Sequence, residues 1–285
     1  MLRYPEDRWT VAYTLMVLAV QLALFFGVES LWWTLLLVVL FQPVQGVAIA
    51  CNHYQHHVPV FRRALPNRIY EIVLFLQTGT PPYLITLHHN LGHHVHYREP
   101  ERDTLGWRRP DGSMRGLWEC LWRNSVGHVS WTMAIGRRHP KVYRRFKVMA
   151  AVSLLPLLLL LWVWPAKALI VFVLPMVIAV LNVARLGYEQ HAGLDLDDHL
   201  TASRNIENRL FNLLTFNSGY HTAHHLRPGL HWSRLPAFHR ELADRIPAEL
   251  RNAGAAPGRL TPPPRLELDQ VVAVPPAASP LDSSR

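Results

Sequence analysis

A chain of 285 residues that is 50% hydrophobic, with a mean hydropathy of +0.06, is too apolar for an ordinary soluble domain and too polar to lie wholly in a bilayer. Its net charge of +9 sits in Arg- and Lys-rich stretches beside uncharged runs, the pattern of positive-inside loops and anionic headgroups, so membrane lipids are the expected partner and no nucleic acid is. With only Cys51 and Cys120, no CxxC and no cluster-binding spacing, neither a disulfide framework nor an iron–sulfur centre is suggested.

Residues 10–28 and 31–49 each approach the roughly 20 apolar residues that a helix needs to cross a bilayer, as do 148–164 and 167–186. Four transmembrane helices in two hairpins are expected, turning at 27–30 and 164–167. The first run is read as a retained span, because its apolar core is longer than a signal-peptide core and a second span follows at once. The two turns hold one basic residue, Lys167. Arg3, Arg8, Arg62, Arg63 and the run from Arg137 to Lys147 lie in the other segments, which places both termini and every large segment on the cytoplasmic face.

Between the hairpins, the apolar stretch 69–87 is interrupted by Thr80-Pro81-Pro82 and reads as a short or re-entrant segment at the interface. Residues 115–147 mix Trp118, Trp122 and Trp131 with many Arg, which suits amphipathic helices on the headgroup layer. A membrane domain is expected over 1–253, followed by a Pro- and Ala-rich disordered tail over 254–285. The fold class is all-α, with a His-rich helical cap on the cytoplasmic side.

Most of the 17 histidines are clustered. They form His53-x-x-x-His57 with His56 inside it, then His89-x-x-x-His93-His94 flanked by His88 and His96, a single His191, and His221-x-x-His224-His225. Spacings of three and four put side chains on one helical face, while adjacent residues such as His93 and His94 diverge by about 100° and can serve two different metals. A lone histidine near a membrane is ordinarily just solvated or hydrogen-bonded. Four clusters on one side instead offer more neutral imidazoles than a four-ligand structural zinc site uses, so two ions, or an ion with open positions, are expected. The ExxH of soluble di-iron carboxylate proteins and the HExxH of zinc proteases are both absent, leaving a His-dominated dinuclear iron centre as the best fit.

HxxxH, HxxxHH and HxxHH in this order, each after an apolar segment, resemble the three histidine boxes of the integral-membrane fatty acid desaturase and hydroxylase superfamily. NSGYHTAHHLRPGLHWSRLP is especially similar to its bacterial members. The resemblance covers about residues 10–240. It implies a non-haem di-iron enzyme of the bacterial inner membrane that uses dioxygen to remove hydrogen from a fatty acyl chain. Carried onto this sequence, the ligands are His53 and His57, then His89, His93 and His94, then His221, His224 and His225, with His191 as the additional histidine after the fourth span. His56, His88 and His96 are assigned to orienting ligands or to exchanging places with a neighbour in their box. Asn217 is assigned to holding a metal-bound water or capping a helix.

Desaturation is favoured over hydroxylation, although HNLGHH and EQHAGL also resemble membrane alkane hydroxylases, and ketolation or terminal-alkene formation belongs to the same chemistry. A non-catalytic zinc-binding or zinc-transporting protein is the reading from another class, and spans almost devoid of ionisable groups argue against its transport version. No Gly-rich dinucleotide fingerprint, cysteine cluster or haem domain is visible. Electrons are therefore expected from a separate ferredoxin or small cytochrome with its reductase, docking on the Arg-rich surface between 98 and 147.

Overall fold

A computed structural model describes residues 1–251, so the expected tail over 254–285 lies outside the described residues. Among the described residues the chain is all-helical, with no β-strand and two isolated bridges, Leu2 with Phe61 and Arg108 with Met114. Helix α1 (Asp7–Gly27) leads into α2 (Leu31–Gln45), α3 (Ala48–His57) and α4 (Ala64–Thr78). A π-helical segment, Thr86–His94, follows. Then come α5 (Leu117–Arg138), α6 (Pro140–Val163) and α7 (Pro165–His191), the last carrying a π-helical turn at Leu169–Val173. Short helices α8 (Arg209–Leu214), α9 (His221–Leu226), α10 (Leu235–Leu242) and α11 (Ala248–Arg251) complete the described chain.

Three helices, α1, α6 and α7, are long and apolar enough to cross a membrane, and there are four such spans if α2 and α3 count as one. The expected span 31–49 is broken. Pro43 lacks an N–H and crowds the preceding turn, α2 ends at Gln45, and α3 leaves at a bend of 43°. The expected boundary between an interfacial segment at 115–147 and a span at 148–164 also moves. The helix break falls at His139, so residues 140–147 form the first turns of α6. Similarly, the span expected over 167–186 continues to His191, which becomes the last residue of α7.

Segment 69–87 divides at its prolines. Helix α4 stops at Thr78 and Gly79 caps it in the left-handed region, its N–H donating to Phe75 O. The C-terminal third of α4, from Leu74 to Thr78, is buried among protein side chains rather than lying on an interface. Phe75 and Leu76 pack with Leu24 and Phe25 of α1, Leu157 of α6 and Val171, Phe172 and Met176 of α7. Amide side chains join the helices inside this apolar core. Gln77 Nε2 donates to Thr14 O at 2.6 Å, Gln45 Nε2 to Gln77 O at 3.2 Å, and Gln21 Nε2 to Val171 O at 3.3 Å. Where no water competes, such bonds fix helix register, each worth on the order of 1 kcal/mol.

The close fit of α4 against α7 makes one position intolerant. A Cβ at Gly79 would lie 2.7 Å from the Met176 Cβ and would hold a positive φ of 68°. Gly79→Ala is expected to destabilise the fold by about 2 kcal/mol or more. Thermal unfolding in detergent checks this, with Gly27→Ala, which meets nothing within 4 Å, as an unshifted control.

Candidate metal centre

The C-terminal turns of α3 and α7, the π-helical segment and α9 converge at one end of the bundle. Their histidines form two groups in which the ligand nitrogens lie within 4.8 Å of one another: His53, His57, His89, His94 and His224 in one, and His93, His191 and His225 in the other. Box one lies on the last turns of α3, where the i, i+4 spacing puts His53 and His57 on one face, their ring centroids 4.7 Å apart. Box three lies on α9 and splits between the groups. His224 Nε2 is 2.8 Å from His53 Nε2 and 3.1 Å from His94 Nε2, while His225 faces the other group.

Box two departs from α-helical expectation. In the i→i+5 coil of the π-helix, His89 shares a group with His94, five residues on, and His93 turns to the other group. His93 and His94 therefore serve different clusters, as the divergence of adjacent side chains requires. His221 completes the second cluster. Its Nε2 lies 2.9 Å from His191 Nε2 and 3.1 Å from His225 Nε2. All nine residues named from the histidine pattern are thus brought together.

The orienting contacts are specific. His93 Nδ1 meets Asp103 Oδ1 at 2.8 Å with both side chains buried, and the same oxygen accepts the Leu105 N–H at 2.9 Å. His191 Nδ1 donates to the Ala202 carbonyl at 2.8 Å. Each contact leaves Nε2 facing the cluster with its lone pair free. The Ala202–Asn205 stretch also ties α7 to α9. Arg204 donates to the Glu189 and Ala192 carbonyls at the end of α7, Asn205 Oδ1 accepts the Thr222 N–H at 2.9 Å, and Ser203 and Thr222 hydroxyls meet at 2.8 Å. Gly219 is needed in the turn before α9, where a Cβ would stand 2.2 Å from Ile206 O.

The remaining named residues go elsewhere. His88 packs edge-on against His128, their centroids 4.2 Å apart. His96 Nδ1 meets Glu99 at 3.0 Å. His56 Nδ1 reaches only Thr86 Oγ1, at 3.5 Å, while its carbonyl accepts from Asn90. Asn217, held at φ 65°, donates to the Trp232 carbonyl at 3.2 Å and caps no helix. Sequence reasoning missed Asp103, His128 and the Ala202–Asn205 stretch. A carboxylate ten residues past His93 was the one visible signal, and nothing in the sequence says that the loop folds back onto the box.

The donor set fits divalent metal ions. The Nε2 atoms of His57, His89 and His93 are buried with no hydrogen-bond partner among the described residues, a costly state for a polar atom that a metal removes. Burial holds His89, His94, His221, His224 and His225 well below the ordinary imidazole value, each pressed further by neighbouring histidines, so their lone pairs are available at neutral pH. A cavity of about 920 Å³ is lined by His53, His89, His93, His191 and His224 together with apolar residues of α2, α3 and α7.

The fatty acid desaturase family model matches residues 30–252. The sphingolipid delta(4)-desaturase DES1 of Drosophila melanogaster is 26% identical over 264 residues, covering 85% of this chain and 77% of that protein.

Removing the carboxylate that orients His93, in Asp103→Ala, is expected to weaken metal binding about 10- to 100-fold, read by competitive titration with a chromophoric chelator. Acid should destabilise the metal-free protein. Burial pushes His128 down to about 4, so the unfolded chain takes up a proton near pH 6.5 that the folded chain refuses until about 4. Stability is therefore full above about pH 6.5 and lost as pH falls from there toward 4, measurable as a falling melting temperature in chelator; His128→Gln should flatten that slope.

Proposed function

We propose that this chain, which belongs to the fatty acid desaturase family, is an oxygen-dependent membrane desaturase that places a double bond in a lipid acyl chain at two iron ions. One observation carries the reading. Nine imidazoles form two adjacent clusters, with neighbouring His93 and His94 facing different ones. That is a dinuclear donor set without a carboxylate ligand in either group.

His53, His57, His89, His94 and His224 would hold one ion, and His93, His191, His221 and His225 the other. Iron held there supplies the capacity to use dioxygen against an unactivated C–H bond. The overall change removes two hydrogens from adjacent carbons and reduces dioxygen to two waters, drawing two electrons and two protons from outside. The chain's own part is positioning and exclusion. The apolar cavity wall, with Val47, Ile49, Ala50, Leu84, Ile85 and Leu186, holds an alkyl chain against the histidine end and keeps bulk water away from it. Restricting a flexible chain in this way is worth roughly 7 kcal/mol or more of a barrier. Asp103 and the Ala202 carbonyl keep His93 and His191 in one tautomer and orientation.

The relative from Drosophila is named for a sphingolipid, which supports a lipid acyl or alkyl chain as substrate here. Lys and Arg concentrated outside the two hairpin turns support a cytoplasmic metal centre, and the likeness of the third histidine box to bacterial family members supports a bacterial inner membrane. Part of the Arg-rich surface is internally neutralised, Arg102 by Glu99, and Arg109 and Arg115 by Glu119. The stretch from Arg137 to Arg145, which makes no ion pair among the described residues, is the better dock for an acidic ferredoxin or small cytochrome.

Purified protein is expected to contain two irons per chain and to consume oxygen when reductant and lipid are supplied. Its products should be two mass units lighter than the substrate, and His224→Ala should abolish both. Zinc at full occupancy without oxygen uptake, or products heavier by one oxygen, would overturn the assignment.

A further inference from the structure

The cavity does not open only toward water. Val39 and Pro43, which line it, are themselves exposed on α2, and Val39 is 53% exposed within the lipid-facing run that includes Leu36, Leu37 and Leu40. The cavity therefore reaches the outer surface of a transmembrane helix.

Helix α8 stands at the same cavity. Its Phe211, with Thr215 just beyond, lines the interior, while Leu210, Leu213 and Leu214 on the other side are 63%, 74% and 56% exposed. Three leucines on six residues form an apolar face that gains nothing from facing water, so this face belongs in an apolar medium. Arg209 at its start is exposed and can reach headgroups, as basic side chains do at a bilayer boundary. The helix is pinned on its inner side by Asn212, whose Nδ2 donates to Ile206 O at 2.6 Å and whose Oδ1 accepts the Gly219 N–H at 3.0 Å.

The α2 bend and α8 are joined through one side chain. The Tyr13 hydroxyl donates to the Val44 carbonyl beside the bend, and the Tyr13 ring packs edge-on against Phe216, 5.9 Å away, just past α8. Tyr13 thus holds the α2 bend and the end of α8 together beside a cavity whose lining, at Val39 and Pro43, reaches the exposed apolar surface of α2.

We infer that this reach of the cavity is a lateral portal through which an acyl lipid resident in the bilayer, rather than a water-soluble acyl thioester, passes its chain to the histidine clusters, with α8 seated at the headgroup boundary. The inference rests on the desaturase reading for what happens to the chain, and on the cavity alone for how the chain arrives. A soluble substrate would come instead by the polar rim at Glu249, the other exposed residue of the lining.

The test uses the full chain in lipid nanodiscs. Cys51 and Cys120 are buried, so a cysteine at Leu213 can be labelled selectively with a fluorophore. Lipids brominated on their acyl chains are expected to quench it strongly, and aqueous iodide weakly. A phosphatidylcholine with a photoreactive group on its acyl chain should cross-link to the cavity lining. Val39→Trp should cut that labelling several-fold while metal content and Leu213 quenching stay as in the parent. Quenching by iodide alone, undiminished cross-linking in Val39→Trp, or preferential labelling by a soluble photoreactive acyl thioester would each overturn the portal. None of these readouts needs turnover. A protein that binds lipid through the portal yet forms no double bond would overturn the enzymatic reading and leave the portal standing.

Discussion

Bringing nine imidazoles from four separate stretches of chain to nitrogen–nitrogen distances near 3 Å, such as 2.8 Å for His53–His224 and 2.9 Å for His191–His221, requires both charge neutrality and close backbone approach. Burial supplies the first, because a protonated imidazole in this setting would be desolvated and surrounded by its own kind. Small residues supply the second. Gly92 inside the second box has space for no side chain, since a Cβ would lie 2.4 Å from the Thr104 methyl, and Gly219 lets the third box approach the Ile206 carbonyl. The arrangement is poised for cations, because several of its buried nitrogens have no other partner among the described residues.

The membrane bundle serves that convergence from below. Helix α4 carries the chain from the first box to the second, and its exit angle fixes where the π-helical segment begins. Amide bonds from Gln77 and Gln45 tie α4 to α1 and α2, and one from Gln21 ties α1 to α7, without introducing charge into the apolar region. The Asn52–Thr78 bond at 2.9 Å then ties the helix bearing the first box to the end of α4, so bundle packing and box geometry are mechanically one problem. The bend at Pro43 belongs to the same design: it turns α3 toward the second and third boxes and leaves a cavity open at its elbow.

How much of this was legible in the sequence differs residue by residue. Spacings of three and four mark the histidine clusters as metal-binding, and the nine ligand candidates follow from the resemblance of the three boxes to the desaturase and hydroxylase superfamily. Their division was legible only as far as the divergence of neighbouring His93 and His94. Partition of box two depends on whether its helix is α or π, and no local pattern in HHNLGHHVHY announces the wider coil. His88 and His96 look equivalent to their neighbours in the text, yet one faces His128 and the other Glu99. The span at 31–49 satisfied the tests of length and hydropathy; Pro43 marked the weak point in the sequence, but the 43° bend of α3 away from α2 is visible only in the fold.

Composition and the order of the histidine boxes by themselves pointed to an all-helical membrane protein with a nitrogen-rich candidate metal centre and a resemblance to a particular family. Those properties follow from local chemistry: apolar run length sets a span, and side-chain type sets a ligand. The tertiary structure alone decided which histidine serves which cluster, that Asp103 and the Ala202 carbonyl orient two of them, and that the cavity opens beside α8. These are relations between segments far apart in the chain, and they are fixed only when helices pack and each buried polar group must find its partner.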